Sequence, residues 1–206
     1  MKAVLAILLA LLLAACSSEA VPPRQPAPPG GGAVAVFAGG CFWCTEKDFE
    51  TLPGVVDAES GYTGGTTRNL TYEQVSAGGT GHYEAVRVRY DPARVTYAQL
   101  VRHFFRTVDP TDAGGQFCDR GESYRTAVFV SGRDERRQAE AALAEANRVL
   151  NGRAVTPVLP SAAFYPAEDY HQDYHRKNPI RYSYYRTRCG RDARLREVWG
   201  ASAAAH

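Results

Sequence analysis

The sequence is short of net charge. Its 24 lysines and arginines stand against 22 aspartates and glutamates, a formal balance of +2. The arginines are scattered and mostly alternate with apolar residues, so there is no electrostatic case for nucleic acid as a partner. Methionine is nearly absent, with Met1 the only one. Beyond Ala3 to Ala15 no long apolar run occurs, and that run is shorter than the roughly 20 residues a spanning helix needs. The cysteines lack the paired C-x-x-C spacing of zinc ribbons, and His82, His171 and His175 form no convergent ligand set, so no metal is expected.

What is present begins with an address. Met1-Lys2 followed by Ala3 to Ala15 reads as a signal peptide over residues 1–15. Leu13-Ala14-Ala15-Cys16 resembles the lipobox of bacterial lipoproteins, which implies acylation of Cys16 as the mature N-terminus. The expected location is the bacterial cell envelope, lipid-anchored. Ser17 after the cysteine favours the outer membrane, facing the periplasm. Residues 16–32, with Pro22-Pro23, Pro26, Pro28-Pro29 and Gly30-Gly31-Gly32, carry too little apolar mass to order and read as a tether. Residues 33–200 suit a single catalytic domain, expected to be a monomer, and 201–206 a disordered tail.

Within the domain, periodicity predicts helices over Thr96 to Val108, with a Thr96/Gln99 capping box, and Ser131 to Leu150, with a Ser131/Asp134 cap and an Asn151-Gly152 stop. Alternation predicts strands at Val34 to Ala38, Val55 to Tyr62, Glu84 to Tyr90, Arg125 to Val130 and Ala154 to Leu159. This order gives an α+β fold: a two-layer, ferredoxin-like α/β sandwich, a mixed sheet with helices packed on one face.

Two stretches carry chemistry. Gly39-Gly40-Cys41-Phe42-Trp43-Cys44 sits where an apolar strand gives way to a helix. The unpaired N–H groups of a helix N-terminus would bias Cys41 toward thiolate, and the glycines would leave its approach open. In Glu84-Ala85-Val86-Arg87-Val88-Arg89-Tyr90, Glu84 shares parity with Val86, Val88 and Tyr90. A carboxyl turned inward there should keep its proton near neutral pH. Two structural disulfides among Cys41, Cys44, Cys118 and Cys189 are the bland alternative. A domain of this size does not need them.

Together the motifs resemble the A-type peptide-methionine sulfoxide reductases, which reduce the S epimer of methionine sulfoxide. The matching stretches are Gly39 to Trp43, Gly61-Tyr62-Thr63-Gly64-Gly65, Thr71-Tyr72-Glu73-Gln74-Val75, Thr80-Gly81-His82 with Glu84-Ala85-Val86, Asp119-Arg120-Gly121 with Ser123-Tyr124-Arg125, and Ala167 to Gln172 with Lys177-Asn178-Pro179. The resemblance implies Cys41 as nucleophile, Glu84 as acid, Tyr72 and Tyr124 as phenols holding the sulfoxide oxygen, and Asp119 in the same cluster. It implies Phe42 and Trp43 as the wall receiving the substrate methyl. A Cys41 sulfenic acid then forms and is resolved as an intramolecular disulfide. No cofactor is implied beyond an external, thioredoxin-like dithiol reductant, and the substrate is methionine sulfoxide, free or in oxidised envelope proteins.

The chain departs from common members at Cys44, where they have glycine, and at Cys118, where they have asparagine. Cys189 lies in a basic stretch resembling the family's mobile C-terminal tail and is the expected first resolver, with Cys44 and Cys118 as alternatives. A competing reading is a thioredoxin-like dithiol oxidoreductase built on Cys41 and Cys44, which leaves Glu84 and the tyrosines unused.

Overall fold

The structure is a computed structural model that describes residues 32–68 and 70–204. The expected signal peptide, Cys16 and all of the tether but Gly32 lie outside the described residues. In chain order the elements are β1 (Ala33–Gly39), α1 (Phe42–Glu50), β2 (Val55–Thr63), α2 (Tyr72–Ser76), β3 (Tyr83–Tyr90), α3 (Tyr97–Thr107), β4 (Gly115–Gln116), β5 (Asp119–Arg120), β6 (Thr126–Val130), α4 (Arg133–Leu150), β7 (Val158–Pro160), β8 (Tyr165–Pro166), α5 (Tyr174–Lys177), α6 (Pro179–Arg188) and α7 (Arg191–Trp199). The main sheet runs β7-β6-β1-β3-β2-β8, and β4 and β5 form a separate small ladder. Every neighbouring pair in the main sheet is antiparallel except β6–β7, so the sheet is mixed, and its inner four strands have the ferredoxin-like order β6-β1-β3-β2.

Strand parity decides the layers. Phe37 on β1 and Val86 and Val88 on β3 face the helices, where Phe37 stacks on Phe49 of α1 at 4.7 Å and on Phe104 of α3 at 5.2 Å. The α3 stripe of Leu100, Val101, Phe104 and Phe105 is buried in the same core, as are Ala139, Ala142, Ala146 and Leu150 of α4. The other sheet face carries a smaller cluster of Ala38, Tyr83, Ala85, Ala127 and Phe129, covered in part by Phe164 and Leu159. The register sets Glu84 opposite Tyr62 on β2 and keeps it on the helix side, 2% exposed.

The expected α3 capping box is present: Thr96 accepts from Gln99 N–H, and the Gln99 side chain accepts from Thr96 N–H. The expected Ser131 cap is not. Helix α4 starts at Arg133, and Ser131 instead donates its backbone N–H to the Glu135 carboxylate at 2.7 Å. Asn151 closes α4 in the left-handed conformation, φ 53°, as its stop signal implied.

The larger correction is at the C-terminal end, where the stretch around Cys189 is helical rather than a mobile tail. Cys189 caps α6, Gly190 turns the chain at φ 66°, and α7 follows. Its anchors are polar groups reaching inward. Arg191 donates to Thr107 O at 2.8 Å and to Gly39 O at 3.4 Å, and Trp199 Nε1 donates to Val108 O at 2.9 Å. Of residues 201–206, expected to be disordered, the first two belong to the 3-10 turn Gly200–Ser202 and Ala204 N–H donates to Arg106 O.

Candidate active site

The turn between β1 and α1 carries the thiols. Gly40 has φ +79°, and a Cβ there would lie 2.5 Å from Gln116 Cβ, so both backbone conformation and close packing require glycine. The glycine serves packing, and Cys41 is not on an open approach: it is 6% exposed and Cys44 1% exposed, both as free thiols. Cys41 caps α1, its carbonyl accepting from Cys44 N–H at 3.1 Å and Thr45 N–H at 3.3 Å. The two buried thiols therefore stand one turn of helix apart, at i and i+3.

Burial, the neighbouring Cys44 thiol, and the acids Glu84 and Asp119 hold the Cys41 thiol well above its ordinary pKa. The expected thiolate bias of a helix N-terminus is thus overridden at Cys41 by burial among acids. The neighbouring Cys41 thiol, with help from Arg191 and Arg186, brings Cys44 down to about 7 despite its burial.

Glu84 stands beside this pair. Its Oε2 accepts from Phe42 N–H at 3.0 Å, a donor freed by the start of α1. Burial pushes the carboxyl up to about 8, reinforced by the charges of Asp119 and Cys44, so Glu84 carries a proton at neutral pH. Tyr72 is the first residue of α2 and Tyr124 lies before β6, and both phenols are raised by burial and by Glu84. Asp119 on β5 is raised by burial and accepts from the Tyr185 phenol of α6. The sequence-derived set of Cys41, Glu84, Tyr72, Tyr124 and Asp119 is brought into one electrostatically coupled cluster.

Beside it lies an aromatic wall. Phe42 packs against Tyr62 at 5.8 Å and His171 at 4.9 Å. Trp43 stacks on Tyr174 of α5 at 3.7 Å, meets Tyr185 edge-on at 5.7 Å, and donates Nε1–H to His171 Nδ1 at 3.0 Å. Tyr62 donates to Glu168 Oε2, and Glu168 Oε1 accepts from Tyr72 N–H at 2.8 Å, fixing the start of α2. Sequence reasoning did not assign Tyr185, Tyr174, His171 or Glu168 to the site. The last two fall within a matching stretch, whereas Tyr185 had no signal beyond its spacing of one turn before Cys189.

The remaining cysteines are bridged: Cys118, exposed, is joined to Cys189 with their Cα atoms 4.9 Å apart. The structure thus sets Cys44, and not Cys189, against Cys41. The reading with two structural disulfides fails, since one cysteine pair is reduced. Below Cys44 a buried polar layer joins α1 to the C-terminal helices. Arg186 Nη1 meets Asp48 Oδ1 at 2.8 Å and Arg191 Nη2 meets Asp48 Oδ2 at 3.5 Å, while Arg186 also contacts Asp192. The Arg191 guanidinium lies 4.5 Å over the Phe117 ring, next to the bridge.

Two clusters of the described residues gather three potential metal-ligand atoms within 4.8 Å. In Cys118, Asp119 and Cys189 both sulfurs belong to the bridge. In Glu46, Glu50 and His175, Arg176 contacts Glu50 at 2.9 Å, while Glu46 accepts from Ser60 and from Asp173 N–H. Both donor sets are engaged within the protein.

The geometry joins a buried thiol pair, a protonated carboxyl and phenol donors, an arrangement suited to a polarised oxygen beside a nucleophilic sulfur. Comparison with known proteins agrees with it. A family model described as peptide methionine sulfoxide reductase matches residues 33–203. A protein named Peptide methionine sulfoxide reductase MsrA 2 from Caulobacter vibrioides is 54% identical over 166 residues, 81% of this chain and 85% of that one. The crystal structure of Mxr1 from Saccharomyces cerevisiae in reduced form aligns with a TM-score of 0.70 at 30% identity, covering 75% of this chain and 90% of that one. Mxr1 in complex with Trx2 shares the fold, with a TM-score of 0.51 at 22% identity over 73% and 89% of the two chains. With a family model spanning nearly the whole described domain and a relative more than half identical, this chain belongs to the peptide methionine sulfoxide reductase family.

Proposed function

We propose that the protein reduces the S epimer of methionine sulfoxide, free or within proteins, to methionine. The observation that carries this is Glu84: a buried, protonated carboxyl held against the first backbone N–H of α1, beside the Cys41 thiol. In the proposed reaction Glu84 and the Tyr72 and Tyr124 phenols hydrogen-bond the sulfoxide oxygen, and the Cys41 sulfur attacks the sulfoxide sulfur. The substrate S–O bond breaks, the oxygen passes to Cys41 as a sulfenic acid, and the substrate sulfur is reduced by two electrons. Phe42 and Trp43 supply the apolar wall for the substrate methyl.

Cys44 is the proposed first resolver, because it is a free buried thiol one helical turn from Cys41 while Cys189 is engaged with Cys118. Its attack forms the Cys41–Cys44 bond, and the hydroxyl leaves as water. An external dithiol then reduces the bridge, and the Mxr1–Trx2 complex supports a thioredoxin-like donor. A simple dithiol oxidoreductase reading accounts for Cys41 and Cys44 but gives Glu84 and the phenol pair no task.

Acylation at Cys16, a tether over 16–32 and an outer-membrane site facing the periplasm belong to the same proposal, which makes the enzyme a repair catalyst for oxidised envelope proteins. Turnover of the two sulfoxide epimers, each supplied separately with dithiothreitol, tests the chemistry. The S epimer is the expected substrate, and turnover of the R epimer alone would refute it. The mass of the mature N-terminal peptide tests the anchor: a lipid-modified Cys16 is expected, and an unmodified N-terminus would refute it.

A further inference from the structure

We propose that Glu46 is a positioning residue for sulfoxide binding: it clips the strap of residues 167–174 to α1 and β2, so that His171 and Tyr174 fix Trp43 in the wall that receives the substrate methyl. The proposal rests on the sulfoxide-reductase reading. Glu46 takes no part in the chemistry set out above. It is 0% exposed and lies on α1 one turn beyond Phe42, on the same face of the helix.

The strap follows β8, whose ladder with β2 ends where Gly61 stands opposite Pro166. From there its hold on the molecule passes to Ser60 and Glu46. Ser60 O accepts from Ala167 N–H and from Gln172 Nε2, and Ser60 N–H donates to Gln172 Oε1, each at 2.9 Å. Glu46 closes the clip: its Oε2 bonds the Ser60 hydroxyl, and its Oε1 accepts from Asp173 N–H at 2.6 Å. Asp173 stands at φ 53°, a left-handed conformation that is costly for a residue other than glycine and persists where its surroundings impose it. The bond to Glu46 is made by that residue's own amide.

The turn at Asp173 sets the wall. On one side of it His171 Nδ1 accepts from Trp43 Nε1–H at 3.0 Å, and on the other Tyr174 stacks on the Trp43 ring at 3.7 Å. The indole is thus gripped at its edge and on its face by two residues of the strap, with the Glu46 bond between them. Without that bond the left-handed turn relaxes, Tyr174 leaves the indole, and the substrate methyl loses a fixed surface. A glutamine at this position satisfies the same partners. Its Oε1 keeps Asp173 N–H, and its amide nitrogen donates to the Ser60 hydroxyl, which accepts as readily as it donates. Burial pushes the Glu46 carboxyl up to about 8, so at neutral pH it is a neutral group that the glutamine replaces.

The test is a single turnover of the S epimer by the full chain without reductant, followed over a range of substrate concentrations. Glu46→Ala should raise the concentration that gives half the limiting rate by roughly three- to tenfold, the worth of one aromatic contact. The limiting rate itself should stay within about threefold, because the reacting groups are untouched. Trp43 emission should move to longer wavelength, read against Trp199, the other tryptophan, which is 4% exposed on α7. Glu46→Gln should behave as wild type in both measurements. Should Glu46→Ala fail to fold, Glu46→Asp, one methylene too short to reach both partners, carries the same expectation. Wild-type half-saturation and emission in the folded variant would overturn the proposal. So would a loss confined to the limiting rate, or a Glu46→Gln protein as impaired as Glu46→Ala. Failure of the wild type to form methionine would instead remove the sulfoxide chemistry itself, and this role with it.

Discussion

Arg186 reaches Asp48 across 138 residues of sequence, closing a buried contact of 2.8 Å between α6 and α1. Both side chains are withdrawn from water, at 6% and 0% exposure. Asp48→Asn leaves two guanidinium groups without their shared buried anion, so a loss of about 3–5 kcal/mol in unfolding free energy is expected. Urea denaturation measures it. A change below about 1 kcal/mol would show that the layer is not a structural tie between the helices.

Glu84 is expected to set a distinctive pH dependence. Its folded pKa of about 8 lies above the roughly 4.3 of an ordinary glutamate, so the folded state holds a proton that the unfolded state has lost across that window. Stability attributable to this group is full below the window and is lost as pH rises through about 8. Glu84→Gln should retain an acceptor for Phe42 N–H and flatten this decline, melting a few degrees above wild type at alkaline pH. Its sulfoxide turnover should fall by about a hundredfold or more. Equal melting curves at alkaline pH would contradict the buried-acid assignment, and unchanged turnover would remove Glu84 from the chemistry.

The Cys118–Cys189 bridge spans a sequence separation of 71 residues and ties the turn after α6 to the residue just before Asp119 at the start of β5. Bridges of this kind typically contribute about 2–4 kcal/mol, so the Cys118→Ser/Cys189→Ser protein should unfold at correspondingly lower denaturant than the oxidised wild type. It should still form a Cys41–Cys44 bridge after one turnover. Persistence of the Cys41 sulfenic acid in that variant would return the resolving role to Cys189 or Cys118.

Much of this was legible in the residues. The parity of Glu84 with Val86 and Val88 gave its inward face, and the Thr96/Gln99 box marked the start of α3, because both signals are local and periodic. The charge state of Cys41 was not legible. A helix N-terminus favours thiolate, but the effect loses to burial among Glu84 and Asp119, which arrive from distant strands. The helices α6 and α7 were hidden for a related reason. The inward face of α6 is Tyr182 and Arg186, and α7 turns in Arg191 ahead of Leu195 and Trp199; burial of the two arginines depends on Asp48, Thr107 and Gly39 far back in the chain. With a polar residue at three of its five inward positions, the hydrophobic periodicity of this face is broken. The partner of Cys189 was equally non-local.

The most direct test of the sulfoxide-reductase reading is one turnover of the reduced protein without added reductant, with each epimer supplied separately and the resulting disulfide mapped by peptide mass. One methionine per chain from the S epimer is expected, with Cys41 in the new bridge and Cys44 as its partner. Methionine from the R epimer alone, or an undiminished yield from Cys41→Ser, would contradict it.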